Sequence, residues 1–169
     1  VGSGIGGIST LLAEVDKMEK RWPDRVSPFL IPMMIGNMAA GVVAIQHNAQ
    51  GPCLPVVTAC ATSSNTIGEA YRCIQLGGAD AIIAGGSEAS INRIALAGFT
   101  NNMALTRRND PKSASIPFDA RRDGFVMGEG ADMLVLEERQ HALDRGAQIY
   151  GEVVGYGNTG DAFHMTAPH

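Results

Sequence analysis

The sequence predicts an α/β layered fold. Two observations carry this: β-branched apolar runs alternate with helical apolar spacing, and small residues dominate, with 21 glycines among 169 residues. Strands that alternate with helices indicate α/β layers, and small side chains let those layers approach closely. Apolar content is 45% and charged content 18%, which is a globular composition. The length suffices for one domain with a core.

The elements follow in order. Val1–Gly7 is a glycine loop. Ile8–Arg21 carries Ile8, Leu11, Leu12, Val15 and Met18 at helical spacing. Trp22–Pro28 contains two prolines and reads as a loop. Pro32–Asn48, with Met34, Met38, Val42 and Ile45 and few charges, reads as a buried helix. Leu54–Ala59 is an expected strand after the Gly51-Pro52 turn. Ser63–Leu76 is a helix with Ile67, Ala70, Tyr71 and Ile74 on one face, closed by Gly77-Gly78. Ala81–Ala84 reads as a short strand of a parallel sheet. Asn92–Ala97 is helical, and Thr100–Pro117 is a long polar loop of the kind that carries function. Phe125–Met127 and Met133–Leu136 read as two strands around the Gly128-Glu129-Gly130 turn. A helix over Glu138–Arg145 and a strand over Ile149–Gly157 complete the series.

Composition excludes several classes. The formal charge of −4 argues against a nucleic-acid-binding domain. No apolar run reaches the roughly 18 residues of a membrane span. The three cysteines form no C-x-x-C pair and no zinc spacing, and their odd number suits a reducing cytosol better than a disulfide framework. Glu88, Asp119, Asp123 and Glu129 match no metal template and read as loop-holding carboxylates. The chain starts on a glycine loop without Met and stops in another loop, so residues 1–169 are expected to be an internal piece of a longer protein.

Cys60 is the leading candidate for chemistry. The run Pro55–Ala59 ends at Cys60, and small residues then open a helix. A thiol at that corner faces unpaired N–H groups and the positive end of the helix dipole. Such a field favours the thiolate, which is the nucleophile. The alternative is a buried, inert cysteine, a frequent fate of free Cys. Cys53 and Cys73 read as packing. Gly2, Gly4 and Gly7 also satisfy G-x-G-x-x-G, but no strand precedes them and no acidic partner follows at the right place, so the dinucleotide reading is weak.

Six stretches, in order, resemble the β-ketoacyl-acyl-carrier-protein synthases (ketosynthases), in particular the elongating synthase II type. They are Gly2–Gly7, Thr58-Ala59-Cys60, Ile83–Ala89, Pro117-Phe118-Asp119, Arg122–Ala131 and Asp161–Thr166. The resemblance implies a thiolase-like fold with αβαβα layers, of which this chain covers the later first half and the start of the second. It implies that Cys60 takes an acyl chain from a carrier-protein thioester. Ile5 would stand at the pocket floor, where it limits chain length, and Phe99 and Phe125 would line the pocket. Ile5 also reads as an ordinary core isoleucine, which is compatible with a pocket wall, and a core position is the more common fate of any phenylalanine. His164 would lie at the pocket mouth, and Thr166 would hydrogen-bond the pantetheine arm.

The family's two catalytic histidines belong to other motifs, neither of which occurs here, so His164 is not the partner of Cys60. Arg25 matches a carrier-docking position, whereas Asp24 and Met103 stand where relatives often have arginine. The basic residues of the middle loops suit an acidic carrier protein or are simply solvated.

The implied activity is acyl transfer followed by decarboxylative condensation with malonyl-carrier protein in fatty-acid elongation. No metal or free cofactor is implied, because phosphopantetheine arrives with the carrier. The implied protein is a cytoplasmic homodimer, with the Leu54–Thr58 strand at the dimer axis. Residues 1–169 alone would be inactive. A polyketide ketosynthase, a thiolase and a non-catalytic partner subunit remain as alternatives; the last type lacks the nucleophile.

Overall fold

The computed structural model describes residues 1–169. Six α-helices and two β-strands form in the order α1 (Ile8–Arg21), α2 (Leu30–Met34), α3 (Met38–His47), α4 (Thr62–Gln75), β1 (Ala81–Glu88), α5 (Arg93–Asn101), β2 (Gly130–Glu137) and α6 (Arg139–Asp144). Short 3-10 turns lie at Pro23–Arg25 and Ala59–Ala61.

β1 and β2 pair antiparallel, from Ala81 opposite Glu137 to Glu88 opposite Gly130. The glycine loop joins the other edge of β1: Gly2 N–H donates to Gly85 O at 3.0 Å and Ser87 N–H to Gly2 O at 2.9 Å. That contact is a parallel bridge. Helix α4 lies across the sheet. Ala70, Ala84 and Leu136 are buried where they meet, with Ile67, Tyr71, Ile74 and Ile82 packed around them. Ala70 and Ala84 let the helix backbone approach the strand, and burial of the larger side chains stabilises the contact.

Helix ends follow local chemistry. Gly77, at φ +72, closes α4, with Gly77 N–H donating to Ile74 O and Gly78 N–H to Cys73 O, the bond pair of a Schellman stop. Asn92 caps α5 by accepting from Ala95 N–H at 3.0 Å. Glu138 caps α6 through His141 N–H at 2.7 Å.

Several expectations need correction. Pro32–Asn48 is two helices, not one, with Ile35 extended between them. The glycine loop docks at this break, where Gly7 N–H reaches Met34 O at 2.9 Å. Nor is the segment buried: Ala40 alone is, and Ile45 is 79% exposed. The strand expected at Ala81–Ala84 runs on to Glu88, and its ladder partner is antiparallel. Phe125–Met127 forms no hairpin with β2, because β2 pairs with β1; Phe125 bridges Leu105 only. Leu54–Ala59 and Ile149–Gly157 are not strands, since no neighbouring strand accepts their backbone groups. Strand propensity at Val56, Val57, Val153 and Val154 needs a sheet edge before it forms a ladder.

Glu137 ties the end of β2 to α6. Its carboxylate accepts from Arg145 Nε at 2.7 Å and Nη2 at 2.6 Å, and it contacts His141 Nδ1. The Arg145 fork, then His141, hold its carboxyl down to about 2 from an ordinary 4.5. A depressed carboxyl stabilises the fold above its unfolded pKa and loses that contribution as pH falls. Glu137→Gln is therefore expected to lower the thermal midpoint at neutral pH. The gap to the parent should close between pH 4.5 and about 2 in an acid series of melting curves.

Candidate functional site

The turn that carries Cys60 is built from three neighbours. Ala59 has φ +51, a left-handed backbone unusual for a residue with a Cβ. Ala61 N–H closes the turn on Thr58 O at 3.1 Å. Helix α4 starts at Thr62, and no side chain caps its first turn. Cys60 thus stands exposed just before an uncapped helix N-terminus, at the corner expected from sequence. The segment before it has no regular secondary structure and is not the expected strand.

The glycine loop supports this corner from below. A Cβ at Gly2 would lie 2.3 Å from Thr62 Cγ2 and 2.6 Å from Val56 O, so only glycine fits against α4 there. The loop's amides turn to Glu88: Gly4 N–H and Ile5 N–H donate to Oε2 at 2.9 and 3.1 Å, and the Ser3 hydroxyl donates to Oε1 at 3.3 Å. Ser3 Oγ accepts from Gly6 N–H at 2.9 Å. The N–H groups that would cradle a phosphate in a dinucleotide site are therefore occupied by a side-chain carboxylate. This geometry removes the dinucleotide reading of G-x-G-x-x-G.

A cavity of about 670 Å³ opens beside Cys60. Ile5, Phe99 and Phe125 line it together with Cys60, so four residues far apart in sequence converge. Phe99, on α5, and Phe125 meet edge to face, with ring centroids 5.4 Å apart at 78°. The wall is mainly apolar, and Ser87, Glu88 and Asp132 add polar groups. A thiol at the side of such a cleft can attack an electrophilic carbonyl whose apolar tail fills the cavity.

The other predicted residues lie elsewhere. His164 and Thr166 sit on the exposed segment after Gly160 and do not line the cavity. His164 Nδ1 accepts from Thr166 N–H and Ala167 N–H, each at 3.2 Å. Arg25 is exposed on its 3-10 turn, 3.7 Å from Asp24. Cys53 and Cys73 line a separate apolar cavity of about 450 Å³.

The carboxylates hold loops. Glu129 accepts from Ile91 N–H at 2.7 Å, and Asp123 from the Thr106 hydroxyl at 2.6 Å. Arg121 holds the Asp119 carboxyl down to about 2. No group of His, Cys, Asp and Glu side chains is arranged to hold a metal.

Sequence reading passed over two residues at the corner, Asn65 and Tyr156. Asn65 is buried in α4, accepts from the Thr58 hydroxyl at 2.8 Å and donates to Tyr156 Oη at 2.6 Å. A polar residue five positions after a candidate nucleophile, on the apolar-facing side of its helix, was the available signal. Nothing local marks Tyr156, 91 residues further along.

Residues 1–142 match the family described as Beta-ketoacyl synthase, N-terminal domain. The chain is 52% identical over 168 residues to a 3-oxoacyl-[acyl-carrier-protein] synthase 2 of Staphylococcus aureus, covering 99% of this chain and 42% of that protein. It is 55% identical over 170 residues to the protein of the same name from Rhizobium meliloti, covering 99% and 40%. The chain therefore spans about two fifths of these relatives' length. A β-ketoacyl synthase from Burkholderia phymatum superposes with a TM-score of 0.87 at 38% identity, over 98% of this chain and 40% of that one. A type II polyketide ketosynthase, solved with its acyl-carrier protein, gives 0.86 at 33% identity, over 98% and 43%.

Gly2→Ala should destabilise the corner by about 1–3 kcal/mol, the usual range for overpacking. Chemical denaturation of the variant checks this; a midpoint equal to the parent's would show that α4 can yield at Thr62.

Proposed function

The chain belongs to the β-ketoacyl synthase family, and from that premise we propose that it is the nucleophile-bearing segment of a longer elongating synthase. Its fold is the thiolase-like α/β fold of that family. The convergence of Cys60, Ile5, Phe99 and Phe125 on one apolar cavity is the observation that carries the reading.

The proposed reaction has two stages. In the first, Cys60 Sγ attacks the thioester carbonyl of an acyl carrier protein, the carrier's pantetheine thiol leaves, and the acyl group stays on Cys60. The positive end of α4 and the Cys60 N–H oppose the charge that develops on the carbonyl oxygen. The acyl tail lies along Phe99 and Phe125 towards Ile5. In the second, malonyl-carrier protein loses CO₂, and the resulting carbanion attacks the Cys60 thioester. Sγ departs, and a β-ketoacyl-carrier protein extended by two carbons is released. Two histidines complete a Cys–His–His site; they come from the part of the relatives' length that this chain does not span. His164 and Thr166 take their places at the pocket mouth and on the pantetheine arm only in that longer protein, and Arg25 contributes to carrier docking.

Phosphopantetheine enters as part of the substrate, and the reaction uses no free cofactor or metal. The solved complex of a related ketosynthase with its acyl-carrier protein supports a carrier partner. We further propose a cytoplasmic homodimer; Leu54 and Val57, 76% and 56% exposed, suit a strand that pairs across its axis. No helix of the chain is long and apolar enough to cross a membrane. The type II polyketide ketosynthase shares the fold at 33% identity, whereas the synthase 2 relatives stand at 52–55%. The difference favours fatty-acid elongation. A non-catalytic partner subunit is disfavoured by Cys60 itself.

Cys60→Ala in the full-length protein is expected to cut acyl transfer by roughly a thousandfold or more. A variant that still condenses at a rate near the parent's would end this reading. Ile5→Phe should slow long acyl donors by roughly tenfold or more while sparing short ones, as pocket volume discriminates chain length. Competition between donors of different length measures this, and an unchanged preference removes Ile5 from the pocket floor.

A further inference from the structure

Cys60 follows a strained residue. A left-handed backbone is sterically unfavourable for a residue with a Cβ, and Ala59 adopts one at φ +51. Such a residue persists only where its surroundings over-determine it. The fixed point is Thr58. Its N–H donates to Thr62 Oγ1 at 2.9 Å, and its hydroxyl donates to Asn65 Oδ1 at 2.8 Å. The residue before the strained turn is thereby tied twice to the first turns of α4.

Asn65 is held in turn by Tyr156. The Asn65 amide donates to the Tyr156 hydroxyl oxygen, Oη, at 2.6 Å. The ring is seated along one face of α4. Gly68 makes room for it, since a Cβ there would lie 2.1 Å from the ring. The Arg72 guanidinium stands 4.8 Å from the ring centroid. Residues 65, 68 and 72 share a helix face, so the hydroxyl and the ring of one tyrosine engage three turns of α4.

We infer that Tyr156 is a positioning residue for the Cys60 thiol, acting through Asn65 and Thr58. The segment around Tyr156 thereby sets the geometry of a nucleophile to which it contributes no reacting atom. The inference rests on the proposed role of Cys60 for its consequence in turnover, but its geometry is testable apart from that role.

The test uses the full-length protein, with Tyr156→Phe, Thr58→Val, the double variant, and Thr58→Ser as the conservative control. Each removes or keeps a hydroxyl with little change of shape. The deciding readout is the rate constant for alkylation of Cys60 by iodoacetamide, followed by peptide mass mapping. One hydrogen bond lost from the tie should lower this rate constant by roughly threefold to tenfold. Both single variants should show the fall, Thr58→Ser should behave as the parent, and the double variant should fall no further than the worse single one.

Acyl-transfer kcat should follow the same pattern, with KM for the acyl carrier unchanged. A fall in neither or only one of the single variants, a fall in Thr58→Ser, or a multiplied fall in the double variant overturns the inference. A parent protein that alkylates at Cys60 yet never accepts an acyl group would overturn the proposed function, and the alkylation series would still decide the tie.

Discussion

Ala59 holds a left-handed backbone because both of its flanks are fixed. Upstream, Thr58 is bound to Thr62 and Asn65. Downstream, Cys60 leads directly into α4. This turn sets where the thiol stands relative to the helix axis, and the neighbouring glycine loop is shaped to fit it. Gly2 lies against Thr62 and Val56, Gly4 lies near Ala59 O and Glu88, and Glu88 gathers the loop's amides. The cavity wall follows from the same packing, because Ile5 on the loop and Cys60 on the turn both line it.

The exposed apolar surface is the counterpart of that ordered corner. Leu54, Val57 and Val154 are each more than half exposed. Burial of such side chains is the main driving force of folding, and β-rich segments left without partners carry unpaired backbone groups. These segments read as strands in the sequence and stand unpaired here, while the chain spans about two fifths of its relatives' length. The two facts are physically consistent: local propensity is written in the segment, and the ladder that realises it is a contact with another strand.

The legibility of the sequence divides along the same line. Helices α1 and α4 were readable nearly to the residue, because amphipathic spacing and the Gly77 stop are local signals. The Cys60 corner was readable because a β-branched run gives way to small residues there. Ile5, Phe99 and Phe125 could be assigned to a pocket only through their motifs, since nothing in their spacing brings them together. The antiparallel pairing of β1 with β2 is not legible in the sequence, because short apolar runs do not specify direction. The break between α2 and α3 has no local signal either, since it is a docking site for a loop distant in sequence. Tyr156 was invisible for the same reason: its contacts are tertiary, and its own segment carries no turn or motif signal.

The central claim is that Cys60 forms the covalent acyl intermediate. The most direct measurement is incubation of the full-length protein with an acyl-carrier-protein thioester, followed by proteolysis and mass mapping of the adduct. The account predicts one acyl group per chain, on the peptide that contains Cys60, with the adduct consumed when malonyl-carrier protein is added. An adduct confined to Cys53 or Cys73, or no adduct while condensation proceeds, would contradict it.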